Sequence, residues 1–183
     1  MTALLRFEQV TLRRGGRVLF EDLDLALASG EALQVTGTNG SGKSSLIRLA
    51  ADLLRPERGR VERSALALAD DNFALDHELP LRRALSFWGG AVDKAMDALG
   101  IADLAQVPVR LLSSGQAKRA SLARVIASDA PLWLLDEPLN ALDEQGTNRL
   151  ANLISNHLAH GGAVLAASHQ PMPGEWNRLE LGR

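Results

Sequence analysis

The chain has 183 residues, 46% of them hydrophobic, with 22 acidic against 20 basic side chains, a formal charge of −2 and no cysteine. That length supports one hydrophobic core and therefore one domain, residues 1–183, and with no run of Lys or Arg the charge excludes an electrostatic nucleic-acid binder. The missing cysteines exclude disulfides, thiolate metal sites and a cysteine nucleophile, and no window reaches the about 18 apolar residues of a membrane span, so a cytoplasmic chain is expected.

Residues 4–35 read as short strands: LLRFEQVTL, a glycine turn at RRGGR, VLFEDLDLAL with alternation from Leu23 to Leu27, and EALQVTG. KSSLIRLAADLL, residues 43–54, carries apolar residues at helical spacing and is expected to end before Arg55-Pro56, because the residue before proline disfavours helix. GRVERSALALAD predicts two further short strands. Residues 78–100 predict two amphipathic helical pieces separated by Gly89-Gly90. After Ser114 come a basic helix, an apolar run PLWLLD, a polar helix from Glu144 to Ala159, a second apolar run AVLAAS and a closing strand RLELG. Apolar strands alternating with helices predict a mainly parallel sheet covered on both faces.

Two stretches carry phosphate chemistry. GTNGSGKS, composed of Gly37, Thr38, Asn39, Gly40, Ser41, Gly42, Lys43 and Ser44, fits G-x-x-x-x-G-K-[ST] between a predicted strand and a predicted helix. Its glycines let backbone N–H groups turn toward phosphate oxygens, Lys43 reaches the outer phosphates, and the Ser44 hydroxyl is placed to ligate Mg²⁺. PLWLLDE delivers Asp136 and Glu137 at the carboxyl end of a strand, the edge where open α/β sheets bind ligands. There Asp136 can hold Mg²⁺ and Glu137 can polarise an attacking water. The small polar turn that opens LLSSGQAKRASLARV, residues 111–125, is a second candidate anion cradle, since it leads into a helix N-terminus. Read alone, it is an ordinary serine N-cap.

Taken together, these residues resemble the nucleotide-binding domain of ATP-binding-cassette (ABC) transporters over nearly the whole chain. GTNGSGKS is similar to that family's Walker A loop, LSSGQ (Leu112 to Gln116) to its LSGGQ signature, LWLLDE to Walker B, NALD with Asp143 to the D-loop, and His169 to the switch histidine. The resemblance implies a P-loop NTPase of ABC type, α/β, with a mainly parallel sheet flanked by helices, an antiparallel N-terminal part and a small helical subdomain at about 73–128. It implies ATP and Mg²⁺ as ligands, with Ser45 joining the loop in holding nucleotide. It also implies Glu137, His169 and Lys43 as catalytic residues. The second cradle is explained by a head-to-tail homodimer, in which Ser113, Gly115 and Gln116 of one copy cap the ATP held by the other.

Two positions depart from that pattern. Arg14 stands where the family has an adenine-stacking aromatic, and a guanidinium plane can stack on a base. Asn72 stands where a glutamine contacts Mg²⁺, one methylene shorter. His77, His157 and His160 have no motif support and are expected in solvent, and Lys118, Arg119 and Arg124 are expected as an exposed basic stripe.

The tail ASHQPMPGEWNRLELGR and the segment HELPLRRALSFWGG resemble one branch, the ATP-binding subunits of haem exporters in bacterial cytochrome c maturation. That implies integral membrane subunits as partners, a peripheral place on the cytoplasmic face of the inner membrane, and no direct contact with the transported substrate. The ATPase of another small exporter is the alternative within the class. A soluble cassette ATPase of repair or translation usually carries two cassettes or a long coiled coil, and neither fits here.

Overall fold

The computed structural model describes residues 3–70 and 74–182. Two long strands, β1 (Ala3–Arg14) and β2 (Arg17–Ala28), pair antiparallel around the Gly15-Gly16 turn, and β4 (Arg58–Arg63) adds to the far side of β1. These are longer than the short strands the pattern predicts. Register shifts absorb the breaks in alternation, with Gln9 and Asp22 at positive φ.

The second sheet has five strands, all parallel, in the order β5 (Leu66–Ala69), β6 (Leu132–Asp136), β7 (Ala163–Ala167), β3 (Ala32–Gly37) and β8 (Asn177–Leu181). The two strands read from GRVERSALALAD therefore belong to different sheets. Alternate residues of the parallel strands face two cores. Leu33, Val35, Leu132, Leu134 and Leu165 face α1 (Lys43–Ala50) and the antiparallel sheet, while Trp133, Leu135, Val164 and Ala166 face the helical side. On that side lie α2 (Leu81–Ser86), α3 (Val92–Ala98), α4 (Ser114–Ala127) and α5 (Glu144–Ala159). Leu46, Ile47 and Leu49 of α1 are fully buried, each worth about 1.5–3 kcal/mol of transfer free energy.

α1 stops four residues short of the predicted Leu54. Asp52 turns left-handed at φ 62, and the Arg63 side chain donates to the Leu49 carbonyl and pairs with Asp52 at 2.7 Å. A tertiary partner on β4 thus satisfies a C-terminal carbonyl that a longer helix would have used itself.

The basic stripe on α4 is corrected by its contacts. Arg124 is half-buried, donates to the Leu68 carbonyl on the edge strand β5 and lies 4.6 Å from the Trp88 ring centroid. Burial lowers its pKa, and the nearby Asp70 opposes that shift. Lys118 donates to the main-chain carbonyl of Asp136 at 3.2 Å. Neither is a solvated charge. His157 also leaves solvent. It stacks on Trp133 at 3.9 Å with planes 10° apart, and its Nε2 lies 3.2 Å from the Pro131 carbonyl. His77 and His160 are exposed as expected.

Candidate functional site

The carboxyl ends of three adjacent strands meet at one edge of the sheet. β3 runs into the glycine loop, β6 ends at Asp136, and β7 ends at Ala167, directly before Ser168 and His169. The register aligns Asp136 with Ala167 and Ala167 with Val35, so the three motifs emerge side by side. This is the ligand edge of an open parallel sheet.

The glycine loop, residues 37–42, needs its glycines for two separate reasons. Gly37 has φ 141, and a Cβ there would lie 2.5 Å from the Leu181 carbonyl oxygen; Gly42 caps α1 at φ 105 with Leu19 3.2 Å from where its Cβ would be. α1 has no side-chain N-cap, and its first turn carries no acidic residue. Its leading N–H groups and the positive end of its dipole therefore meet no carboxylate from the helix's own first turn. Lys43 is buried and donates from Nζ to the carbonyls of Gly37 (2.9 Å) and Thr38 (3.2 Å), which holds the ammonium across its own loop.

The two carboxylates have separate partners. Asp136 is buried and accepts from the Ser44 hydroxyl at 3.1 Å, linking the loop to β6. Glu137 has φ 45, a conformation that strains a side-chain-bearing residue, and is held there by its N–H bond to the Ala167 carbonyl at 2.8 Å. Its Oε2 lies 2.8 Å from His169 Nδ1 and accepts the His169 backbone N–H at 3.4 Å. A carboxylate only accepts, so this contact selects the tautomer with its proton on Nδ1, on a half-exposed ring.

Arg14, Gly15, Leu19, Asn39, Gly40, Gly42, Lys43, Ser44, Ser45 and Glu137 line one cleft of about 580 Å³. The antiparallel sheet supplies one wall and the parallel sheet the other. Ser41 turns its hydroxyl inward, buried without a hydrogen-bond partner. The other predicted residues lie elsewhere. Ser113 is the N-cap of α4 in a capping box: its hydroxyl accepts from the Gln116 N–H, and its own N–H donates to the Gln116 amide oxygen at 2.9 Å. Gly115 lies so close to the turn before α5 that a Cβ would meet the Ala141 carbonyl at 2.8 Å. Asp143 caps α5 through Gly146 at 2.8 Å. Ser113, Gly115, Gln116 and Asp143 are not among the residues that line the cleft holding Lys43. Asn72 lies outside the described residues. Leu19 and Gly15 were not singled out in the sequence. Gly15 was marked only as part of the RRGGR turn, and Leu19, within β2, carries no local signal of its place in the cleft. Among the described residues no three of His, Cys, Asp or Glu gather as a metal centre, and no described helix is long and apolar enough to cross a membrane.

A glycine loop after the parallel strand β3, a serine hydroxyl on the aspartate that ends β6, two strands away in the sheet, and a glutamate directly after it define a P-loop nucleotide-binding protein. Residues 20–140 match the ABC transporter family, and the chain belongs to it. It is 58% identical to the cytochrome c biogenesis ATP-binding export protein CcmA of Sphingopyxis alaskensis over 177 residues, 92% of this chain and 91% of that one. It is 54% identical to the protein of the same name from Novosphingobium aromaticivorans over 167 residues, 89% of this chain and 87% of that one. Among solved structures, an ATP-binding subunit of an ABC transporter superposes with a TM-score of 0.83 at 20% identity, covering 91% of this chain and 79% of the other, which shows the shared fold.

Proposed function

We propose that this chain is the ATP-hydrolysing subunit of an exporter serving cytochrome c biogenesis, with haem as the cargo handled by its membrane subunits. The observation that carries the chemistry is the single cleft bordered by Lys43, Ser44 and Glu137, with Asp136 bonded to Ser44 behind it. The likeness to the CcmA proteins over nine-tenths of both chains carries the biological assignment.

The loop from Gly37 to Ser45 binds the phosphates of ATP through its N–H groups and Lys43, which leaves its own carbonyls for the outer phosphates. Arg14 and Leu19, on the antiparallel sheet's side of the cleft, bracket the base. Ser44 and Asp136 offer hard oxygen donors close enough to share one ion, which fits Mg²⁺ bound chiefly through substrate phosphates. When bound, that ion supplies charge neutralisation on the phosphate oxygens. Glu137 accepts the proton of a water aligned on the γ-phosphorus, and His169 fixes the carboxylate's direction through Nδ1–H.

The signature turn acts on a second copy's nucleotide. Ser113 accepts one bond from Gln116 and keeps its own hydroxyl hydrogen for an incoming phosphate. The proposed assembly is a head-to-tail homodimer under integral membrane subunits, peripheral on the cytoplasmic face of the bacterial inner membrane. Residues 1–183 form one ATP-binding domain with a helical subdomain at about 73–128. The test is genetic: deletion of this gene removes covalently bound haem from c-type cytochromes, the parent gene restores it, and Lys43→Ala does not. Cytochromes that persist in the deletion strain would contradict the assignment.

A further inference from the structure

The middle of β3 contains a residue that the motifs do not account for. Gln34 is 2% exposed, in a strand whose neighbours Leu33 and Val35 pack into an apolar core. Its side chain faces the opposite core, beside its register partner Ala166 and near Met172. Burying an unpaired amide costs several kcal/mol, so its bonds decide whether it is tolerated. All of them go to one short segment. Nε2 donates to the carbonyls of Gln170 at 2.7 Å and Ser168 at 3.4 Å, and Oε1 accepts the Met172 N–H at 3.4 Å. Two donors and one acceptor are matched to two carbonyls and one N–H, which only an amide can satisfy at this site.

That segment carries His169. After β7 the chain leaves the sheet with one more ladder bond, Ser168 N–H to the Val35 carbonyl at 3.2 Å, and then has no strand to pair with until Asn177. Gln34 acts as the missing partner from inside the sheet. Ser168, fully buried, tightens the same turn: its hydroxyl donates to the Gln170 carbonyl at 2.9 Å and accepts the Gln170 N–H at 3.1 Å. The backbone on both sides of His169 is therefore pinned while the ring stays half-exposed against Glu137. The strand that does the pinning also opens into the phosphate loop three residues later.

We propose that Gln34 is a positioning residue for ATP hydrolysis: its buried amide holds residues 168–172 so that His169 meets Glu137. This rests on the assignment of His169 and Glu137 above. Displacements of about 1 Å around a reacting centre cost up to about 100-fold in rate, so loosening this turn is felt in turnover more than in binding.

The test uses the full chain with Gln34→Met, which keeps the side chain's bulk and removes its polar atoms, and with Ser168→Ala as a gentler second variant. Hydrogen exchange of residues 168–172 should rise at least about tenfold in Gln34→Met, with exchange in α1 and β6 unchanged. The kcat for ATP should fall about tenfold or more with KM within about threefold, and in a His169→Ala background the same change should cost less than about twofold. Ser168→Ala should move both readouts the same way by less. A loss that is fully additive with His169→Ala, or unchanged exchange at 168–172 in both variants, would overturn the proposal. Should His169→Ala alone leave kcat at the parent value, the assignment of His169 fails, while the exchange measurement still judges the hold of Gln34 on the segment.

Discussion

The Ser44 hydroxyl donates to Asp136 Oδ1 across 3.1 Å, joining residues 92 positions apart in the chain, with Ser44 lining the cleft and Asp136 buried behind it. A hydroxyl and a buried carboxylate so close form a hard-oxygen pair whose value depends on a divalent ion. Ser44→Ala should weaken ATP binding about tenfold in Mg²⁺ and leave it nearly unchanged in EDTA, by titration with a fluorescent nucleotide. Equal losses in both conditions would mean that Ser44 supports the loop and does not contact the ion.

Arg14 and Leu19, from the antiparallel sheet, border the same cleft as Lys43 and Glu137. A stacking guanidinium and an aliphatic side chain read no base edge, because every purine offers a face. ATP and GTP should compete within about tenfold, about 1.4 kcal/mol. A larger preference for ATP would require a hydrogen-bonding contact to the adenine edge.

Gly115→Asp tests the second cradle. The new Cβ meets the Ala141 carbonyl, and its carboxylate faces any phosphate brought to the N-terminus of α4. Nucleotide affinity of the monomer should stay near the parent value while steady-state hydrolysis collapses. In a mixed dimer with Lys43→Ala, one composite site carries both lesions and the other neither, so nucleotide capture at one site per dimer should return. Loss of ATP binding by the Gly115→Asp monomer would place the turn in its own copy's cleft.

His157 predicts a pH dependence of stability. Burial against Trp133 lowers its pKa below the ordinary 6.5, with bonds to the backbone of Pro131 and Ala163 and the charge of Asp129 only partly opposing. The unfolded chain then takes up the proton more readily than the folded one. Its contribution is complete above about pH 6.5 and is lost as pH falls toward the folded pKa. His157→Phe keeps a ring on Trp133 but cannot titrate, so its Tm should fall less between pH 7.5 and 5.5 than that of the parent. The variant should also lose about 1 kcal/mol at pH 7.5 with the Pro131 bond. Parallel Tm losses would locate the acid sensitivity elsewhere.

What the sequence made legible was local. The glycine loop, the apolar run ending in Asp136-Glu137 and the bounds of α5 follow from spacing and composition within a dozen residues, and the structure places them as expected. What it hid was tertiary. The end of α1 depends on Arg63 from another sheet. Lys118 and Arg124 read as solvated charges because nothing nearby in sequence says that one reaches the Asp136 carbonyl and the other the Leu68 carbonyl of β5. His157 was misplaced because its stacking partner lies 24 residues earlier, on β6. Gln34 did carry a signal, a lone amide in an apolar strand, but its meaning needed the turn at 168–172.

The most direct measurement is ATP binding set beside ATP hydrolysis in Glu137→Gln. The amide preserves shape and can still accept from His169, but it is too weak a base to take the proton of an attacking water. The account predicts nucleotide affinity within about threefold of the parent, turnover reduced at least about 100-fold, and a nucleotide-bound dimer that accumulates on a sizing column. Hydrolysis within about threefold of the parent would contradict it.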